Sequence, residues 1–179
     1  MFIWKRLIFT AVIILMFHSV FSAQTQDTHP VTINISGIAV VSLVGGALSL
    51  SVTPPGTGGQ PPQNDLDNTC YLQYTSCVPT GQTRTLHVAW AAGDSAPAGC
   101  VLQLIISPSG GAGEGSSSGR RTISGSAQTV VTGITHCATG TSATDGANIR
   151  YDLTVSDATS LVAGENRSVT VTFTLTDAS

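Results

Sequence analysis

The sequence is poor in charge and almost without lysine. Charged residues make up 9% of its 179 positions, and Lys5 is the only lysine. Beyond Arg6, five arginines stand against ten acidic residues, a formal charge of −5. Binding of nucleic acid or anionic lipid depends on clustered basic side chains, so this balance argues against both partners. The lack of lysine beyond position 5 also excludes lysine–asparagine isopeptide crosslinks.

Catalytic and cofactor-binding motifs are missing as well. There is no Gly-x-Ser-x-Gly nucleophile elbow, and the glycine-rich run 110–119 lacks the lysine and helix of a phosphate-binding loop. The cysteines and histidines show no zinc-ligand spacing. His87 lies in a predicted strand and is interpreted as a structural histidine, while His136 and Cys137, as strand neighbours, face opposite ways. We therefore predict that the protein is not an enzyme, with no catalytic residues and no cofactor.

The first 23 residues have the pattern of a secretory signal peptide. Lys5 and Arg6 form a charged start, residues 7–17 are apolar, and small residues at 22 and 23 offer a cleavage site. The apolar run is short for a membrane span, so we expect no membrane insertion after cleavage. Residues 24–179 are then expected to form a single secreted domain, located in the periplasm, at the cell surface or in the extracellular space.

Alternation of apolar residues with threonine is the dominant pattern. In residues 169–176, valine, phenylalanine and leucine alternate strictly with threonine. A period of two places the apolar side chains on one face of a strand and the threonines on the other. The pattern recurs along the chain, and no apolar stripe of helical period follows residue 23. The sequence therefore predicts an all-β fold: an Ig-like antiparallel β-sandwich of nine or ten short strands with Greek-key connections.

Turn-forming residues separate the predicted strands. Gly45 and Gly46 divide residues 38–44 from residues 47–52, which predicts a hairpin. A long proline- and glycine-rich loop is expected over 53–68, and a mobile glycine- and serine-rich loop over 109–119. The other predicted strands are 31–35, 70–76, 83–91, 100–107, 121–124, 128–134, 148–156 and 168–176.

Four cysteines follow the predicted signal peptide, at positions 70, 77, 100 and 137. An even number in an exported chain predicts two disulfides, and three pairings are open. Cys70 and Cys77 flank one extended run of roughly 23 Å, too long for a direct bond unless the chain folds back. If strands 70–76, 83–91 and 100–106 lie side by side, the preferred pairs are Cys70–Cys100 and Cys77–Cys137.

Two further groups of residues are candidates for binding. Asp65 and Asp67 lie in an oxygen-rich stretch that suits calcium, although a solvated turn with aspartate–backbone hydrogen bonds explains it as well. Trp90, Tyr71 and Tyr74 offer aromatic rings on which a carbohydrate stacks, whereas core packing is the ordinary role of a tryptophan.

Several stretches carry a resemblance to exported bacterial proteins. Those that resemble small, functionally uncharacterised secreted β-sandwich proteins are residues 48–60 (LSLSVTPPGTGGQ), 71–76 (YLQYTS), 133–140 (GITHCATG), 151–155 (YDLTV) and the final alternating strand. The chain is also loosely similar to pilin-like and spore-coat-U-like surface subunits. That similarity implies a pilin-like sandwich in which Val31, Ile33 and Ile35 form a donor strand that completes a neighbour's sheet.

The sequence thus predicts an exported, non-enzymatic structural or surface protein, such as a fibre, pilus-like or coat subunit that acts by self-association. The expected partners are further copies of the chain or surface components, with no nucleic acid. The alternative is a secreted carbohydrate-binding or adhesin module, and a calcium-stabilised adhesin would use Asp65 and Asp67.

Overall fold

The structure is a computed structural model that describes residues 30–178. The predicted signal peptide, residues 1–23, lies outside the described residues. The chain divides into one unit that ends at Ile35 and a second unit, Ser36–Ser179, which contains every described strand. Within residues 30–178, no helix combines the length and apolarity needed to cross a membrane.

Ten strands make the second unit an all-β antiparallel sandwich, which confirms the predicted fold class. They form one sheet of six strands and one of four. A three-residue 3₁₀ turn, Ala158–Ser160, is the only helical element in the described part of the chain. The strands are β1 (Ile38–Val44), β2 (Asp65–Cys77), β3 (Arg84–Trp90), β4 (Cys100–Ser107), β5 (Ser116–Ser117), β6 (Arg121–Thr122), β7 (Gln128–Ile134), β8 (Cys137–Ala138), β9 (Ala147–Val155) and β10 (Val171–Asp177).

The first sheet has the order β1-β2-β9-β4-β6, and β8 also pairs with β2. β2 is the longest strand. β1 pairs with one of its edges, with Val44 opposite Tyr71, while β9 and β8 share the other edge. β4 pairs with β9 along its whole length, starting with Cys100 opposite Val155. The edges of this sheet are therefore β1 and the two-residue β6.

The second sheet has the order β10-β3-β7-β5. In β10, Val171 and Phe173 pack against the core while Thr172 and Thr174 stay exposed. The alternation predicted for the last strand is thereby confirmed, although the strand is Val171–Asp177 rather than 168–176. Its threonine face covers the outside of the second sheet.

The core lies between the two sheets and comes from alternate residues of the central strands. Leu104 and Ile106 of β4 and Ile149 of β9 are fully buried, as are Leu86 and Val88 of β3. Burial of a side chain of this size stabilises the folded state by about 1.5–3 kcal/mol. The edge strands contribute less, because none of the apolar side chains of β1 and β10 is fully buried.

The prediction of a hairpin at Gly45 and Gly46 is wrong. Val44 pairs with β2 and, further along, Thr53 bridges Gln63, so the chain keeps its direction beside β2. Gly45 has a φ of 127°, and a Cβ there would lie 2.7 Å from the Cys70 Sγ. The two glycines therefore make an irregularity in a continuous edge segment and do not reverse the chain.

The proline- and glycine-rich loop is shorter than predicted. β2 begins at Asp65, inside the predicted loop 53–68, so the loop covers 53–64. Two backbone hydrogen bonds between Thr53 and Gln63, of 3.3 and 2.9 Å, close it. The predicted strand 70–76 is the second half of this longer strand.

The segment 109–119, predicted to be a mobile loop, packs against β7. It contains β5 and a buried glutamate, Glu114, whose carboxylate accepts a 2.6 Å hydrogen bond from the Ser109 hydroxyl. The Tyr74 hydroxyl donates to the Glu114 backbone oxygen at 2.7 Å, and burial raises the pKa of Tyr74. The glycines permit this close packing, because they bring backbone to backbone without a Cβ between.

Candidate functional site

Residues 31–35 hold three largely exposed apolar side chains. Val31, Ile33 and Ile35 have exposed fractions of 69, 79 and 79%. They alternate with Thr32 and Asn34, yet the segment belongs to none of the described strands, so the strand predicted there is not formed within the chain. A strand needs a hydrogen-bonded neighbour to form, and residues 31–35 have none among the described strands.

An open cleft of about 730 Å³ lies in the second unit, where β4 begins and β9 ends. One wall is the segment 49–54 and another is the loop 161–167, and Cys100 completes the lining between distant parts of the chain. The apolar lining consists of Leu50, Val52, Pro54, Pro62, Pro97, Leu153, Leu161 and Val162. The cleft is thus a groove that exposes about as much polar as apolar surface, with the chain segment 49–54 on one side.

The first wall of the cleft, residues 49–54, belongs to no strand of either sheet. Leu50 is half-buried and packs against the core, which fixes the segment in place. The Asp65 carboxylate accepts a 2.9 Å hydrogen bond from the Ser51 backbone N–H. Within this wall, the backbones of Ser49 and Leu50 make no hydrogen bond to another described segment, whereas Thr53 is paired with Gln63 through both its N–H and its oxygen.

The opposite rim of the cleft carries an ion pair. The Arg167 Nε donates to Glu165 Oε1 at 2.8 Å, and the Ala98 backbone N–H donates to Glu165 Oε2 at 3.1 Å. These bonds hold the pKa of Glu165 below its usual value. Before the loop, Asp157 accepts hydrogen bonds from the hydroxyls of Ser160 and Thr159, which lower its pKa to about 2. Both carboxylates are therefore ionised and engaged at neutral pH.

The reactivity of the Cys100 thiol provides a measurement of its surroundings in the cleft. Burial raises the pKa of its thiol above the ordinary 9.0, and the nearby Glu165 carboxylate raises it further. Since the thiolate is the reactive form, alkylation by iodoacetamide should speed up about tenfold per pH unit through pH 8 and 9. Glu165→Gln removes the negative charge, lowers the pKa of the thiol and should accelerate alkylation at pH 8. Mass spectrometry of the peptide that contains Cys100 measures the rate.

The matched control is Asp145→Asn. Asp145 precedes β9, whereas Cys100 lies opposite its last residue, roughly 25 Å away along the strand. This change should leave the alkylation rate unaltered. Equal rates in wild type and Glu165→Gln would contradict the electrostatic assignment.

The two predicted disulfides are not present, and all four cysteines are free thiols. Cys70 lies opposite Ile149 and Cys100 opposite Val155, on the two sides of β9 and six residues apart along it. That is roughly 20 Å, against the roughly 5.5 Å that a disulfide allows. The predicted arrangement fails because β3 belongs to the second sheet, so strands 70–76, 83–91 and 100–106 do not lie side by side.

The second predicted pair, Cys77 and Cys137, lies on neighbouring strands but on different faces. Cys137 is opposite Ser76, which points inward, whereas Cys77 is the next residue along and points outward. Side chains on opposite faces of a sheet cannot be bridged without backbone movement. Burial also raises the pKa of the Cys137 thiol, which is expected of an inward-facing cysteine.

The calcium candidates serve as hydrogen-bond acceptors for nearby groups. Asp65 caps the backbone of Ser51 and Leu66, and Asp67 Oδ1 accepts from the Thr69 N–H at 2.9 Å and the Thr69 hydroxyl at 2.8 Å. In residues 30–178, no group of three or more His, Cys, Asp or Glu side chains is arranged to hold a metal ion. The geometry favours the aspartate–backbone turn over a cation site.

The three aromatic candidates do not form a common surface. Tyr74 is buried, and its hydroxyl donates a hydrogen bond to the Glu114 backbone oxygen. Tyr71 lies on the opposite face of β2, where it is half-buried on the outside of the first sheet. Trp90 packs against the core. A stacking platform for carbohydrate requires rings exposed side by side, which these residues do not provide.

The histidines take structural positions. On the outer face of the second sheet, the His87 ring nitrogens lie 2.8 Å from Thr85 Oγ1 and 3.2 Å from Thr129 Oγ1. His136 is exposed, whereas Cys137 packs towards the core, so the two are directed apart. This agrees with the structural interpretation of His87.

The cleft could not be predicted from the sequence because its walls are distant in the chain. Leu50 and Val162 are more than a hundred positions apart, and the alternation at 47–52 predicts a hairpin that does not form. An alternating segment followed by a closed proline-rich loop was the available signal. No protein-family model, curated protein or solved structure matches this chain.

Proposed function

We propose that this chain is an exported, non-enzymatic surface protein that works by self-association, each copy donating residues 31–35 to a neighbour. The observation that carries the proposal is the exposure of Val31, Ile33 and Ile35, at 69, 79 and 79%. Three alternating apolar side chains lie on one face of the segment once it becomes a strand. An edge strand of another copy supplies the hydrogen bonds that the segment lacks.

The energetics support assembly through this segment. Burial of each of the three side chains is worth about 1.5–3 kcal/mol, so together they contribute about 6 kcal/mol before association costs. Backbone hydrogen bonds along the added strand contribute further, at about 1 kcal/mol each. Loss of one side chain and burial of a charge in its place should remove most of this gain.

The test replaces one apolar residue of the segment. In Ile33→Asp, the carboxylate would face the neighbour's apolar surface, and self-association should weaken by at least about 100-fold. Sedimentation velocity of the mature chain, residues 24–179, measures the assembly as a function of concentration.

The control for this test is Asn34→Asp, which adds the same charge on the opposite face of the donated strand. Asn34 is exposed, so the change should alter assembly little. Equal loss of assembly in both variants would indicate a general charge effect, and unchanged assembly in Ile33→Asp would refute donation by this segment.

A further inference from the structure

Two arginines share one buried carboxylate on the outer face of the first sheet. Arg150 donates to Asp152 Oδ1 through Nε at 3.0 Å and through Nη2 at 2.8 Å, and Arg120 Nη1 donates to Oδ2 at 2.5 Å. The Asp152 side chain is 7% exposed, whereas the two arginine side chains are each 42% exposed. The buried carboxylate thus holds two half-exposed guanidinium groups beside each other.

Most of the hydrogen-bond donors of this pair are unused. A guanidinium group has five N–H donors in a planar fork that matches the oxygens of a carboxylate. Among the described residues, Asp152 is the only hydrogen-bond partner of the Arg120 and Arg150 side chains. The remaining donors are therefore available to a second oxyanion, and Asp152 already fixes the side chains that carry them.

The pair also leaves a local surplus of positive charge. One arginine is enough to neutralise Asp152, and the second has no acidic partner of its own. β4 carries no charged residue, and β9 carries only Arg150 and Asp152. On β2, Asp65 and Asp67 are opposite Leu153 and Tyr151, whose side chains are buried, so both aspartates lie on the other face of the sheet.

The residues around the arginine pair are suited to contact with a sugar. Gln103 lies opposite Asp152 across β4, and Asn148 is on the same face of β9. Their amides can hydrogen-bond with hydroxyl groups. Tyr71, opposite Asn148, presents a half-buried ring, and Leu66, opposite Asp152, is 51% exposed. The face therefore combines one anion-binding centre with amide, aromatic and aliphatic contacts.

We infer that this face binds an acidic polysaccharide through the carboxylate of a uronic acid unit. Arg120 and Arg150 bind the carboxylate, Asp152 positions the two guanidinium groups, and Gln103 and Tyr71 contact the sugar ring. A nucleic acid or an anionic membrane requires clustered basic residues, whereas a uronic acid unit carries a single carboxylate, which matches the single surplus charge. The inference goes beyond the proposed function and does not depend on residues 31–35.

The test is calorimetric titration of the mature chain, residues 24–179, with oligogalacturonate. Arg120→Gln and Arg150→Gln should each weaken binding at least about tenfold, because each removes charge-assisted hydrogen bonds to the ligand. Each variant leaves the other arginine on Asp152, so the buried carboxylate keeps a partner. Circular dichroism checks that both variants fold.

The matched control is Arg121→Gln, which removes the same charge from the neighbouring position. Arg121 is opposite Leu104, a buried residue, and its Nε donates to the Thr129 oxygen at 3.2 Å, so it belongs to the other face of the sheet. Its replacement should change the affinity by less than about twofold. An equal loss in Arg121→Gln would show a general charge effect and overturn the assignment.

Two further ligands test the chemistry of the bound group. Methyl-esterified oligogalacturonate has the same sugar without the charge and should not bind measurably. Inorganic sulfate should bind far more weakly than oligogalacturonate, because it lacks the sugar contacts. Failure of oligogalacturonate to bind, or equal binding of its methyl ester, would refute a uronate site, and equal affinity for sulfate would reduce it to a general anion site without specificity for sugar.

Discussion

Replacement of Arg84 by leucine is expected to lower the free energy of unfolding by about 3 kcal/mol. Arg84 is 8% exposed and lies on β3 of the second sheet. Its guanidinium donates to the Ile38 backbone oxygen, to the Cys77 oxygen at 3.3 Å and to the Ser76 hydroxyl at 3.4 Å, all in the first sheet. One side chain thus joins the two sheets near the start of β1.

The large loss of stability follows from the buried hydrogen-bond acceptors that Arg84→Leu leaves without a donor. Leucine fills much of the space but donates nothing, so buried acceptors of the first sheet lose a charged donor, at about 1.5–3 kcal/mol for a hydrogen bond of this kind. Urea unfolding followed by circular dichroism measures the loss. Arg84→Lys should fall between wild type and leucine, because lysine keeps the charge but lacks the planar fork.

The control for Arg84→Leu is a substitution of Asp177, the ion-pair partner of Arg84. Asp177 accepts from the Arg84 Nε at 2.9 Å, but its side chain is 83% exposed. Water screens an ion pair of this kind, so Asp177→Asn should cost less than about 1 kcal/mol. If Asp177→Asn cost as much as Arg84→Leu, the ion pair and not the link to the first sheet would be the source of stability.

Gly115→Ala should destabilise the protein by at least about 2 kcal/mol more than Gly119→Ala. The two glycines lie in the same segment with nearly the same backbone, φ 83° and 79°. A Cβ at Gly115 would lie 2.5 Å from the Thr132 oxygen and 2.9 Å from the Ile134 Cγ1, whereas a Cβ at Gly119 meets nothing within 4 Å. The backbone strain of a positive φ is common to both, so the difference measures the close packing on β7.

Protease cleavage provides an independent measurement for the same pair. A glutamate-specific protease cuts after Glu114 only when the segment leaves β7, since Glu114 is 5% exposed. Cleavage should be slow in wild type and Gly119→Ala and fast in Gly115→Ala. Rapid cleavage of the wild-type segment would show that residues 109–119 are mobile, as their composition alone indicates.

The individual strands were the part of this fold that the sequence could predict. β4 and β7 have the bounds expected from their alternation, Cys100–Ser107 and Gln128–Ile134. Period-two patterns report which side of a strand is buried, and this depends on a few neighbouring residues. The inner and outer faces of β10 could be assigned for the same reason.

Strand neighbours could not be predicted, because the pairs are distant in sequence. β2 pairs with β9, and β3 with β10, across loops and other strands. Local pattern instead predicted a hairpin at the Gly-Gly pair, and the preferred disulfide pairs assumed that strands 70–76 and 83–91 lie side by side. The error in strand order led directly to the wrong disulfide, Cys70–Cys100, since its geometry depends on which strands are adjacent.

Of the candidate site, the sequence predicted the alternating apolar residues of segment 31–35, and the structure adds the cleft. Val31, Ile33 and Ile35 are recognisable from alternation alone. The cleft depends on Gly45, whose close approach to Cys70 keeps the segment 47–54 beside β2, and on a loop more than a hundred residues later. No local pattern brings these parts of the chain together.

The most direct test of self-association is negative-stain electron microscopy of the purified mature chain, residues 24–179, alongside the native cell surface. We expect regular filaments or lattices in wild type, and dispersed particles in Ile33→Asp at the same concentration. Dispersed monomers of the wild-type chain in both preparations, over the whole accessible concentration range, would contradict self-association.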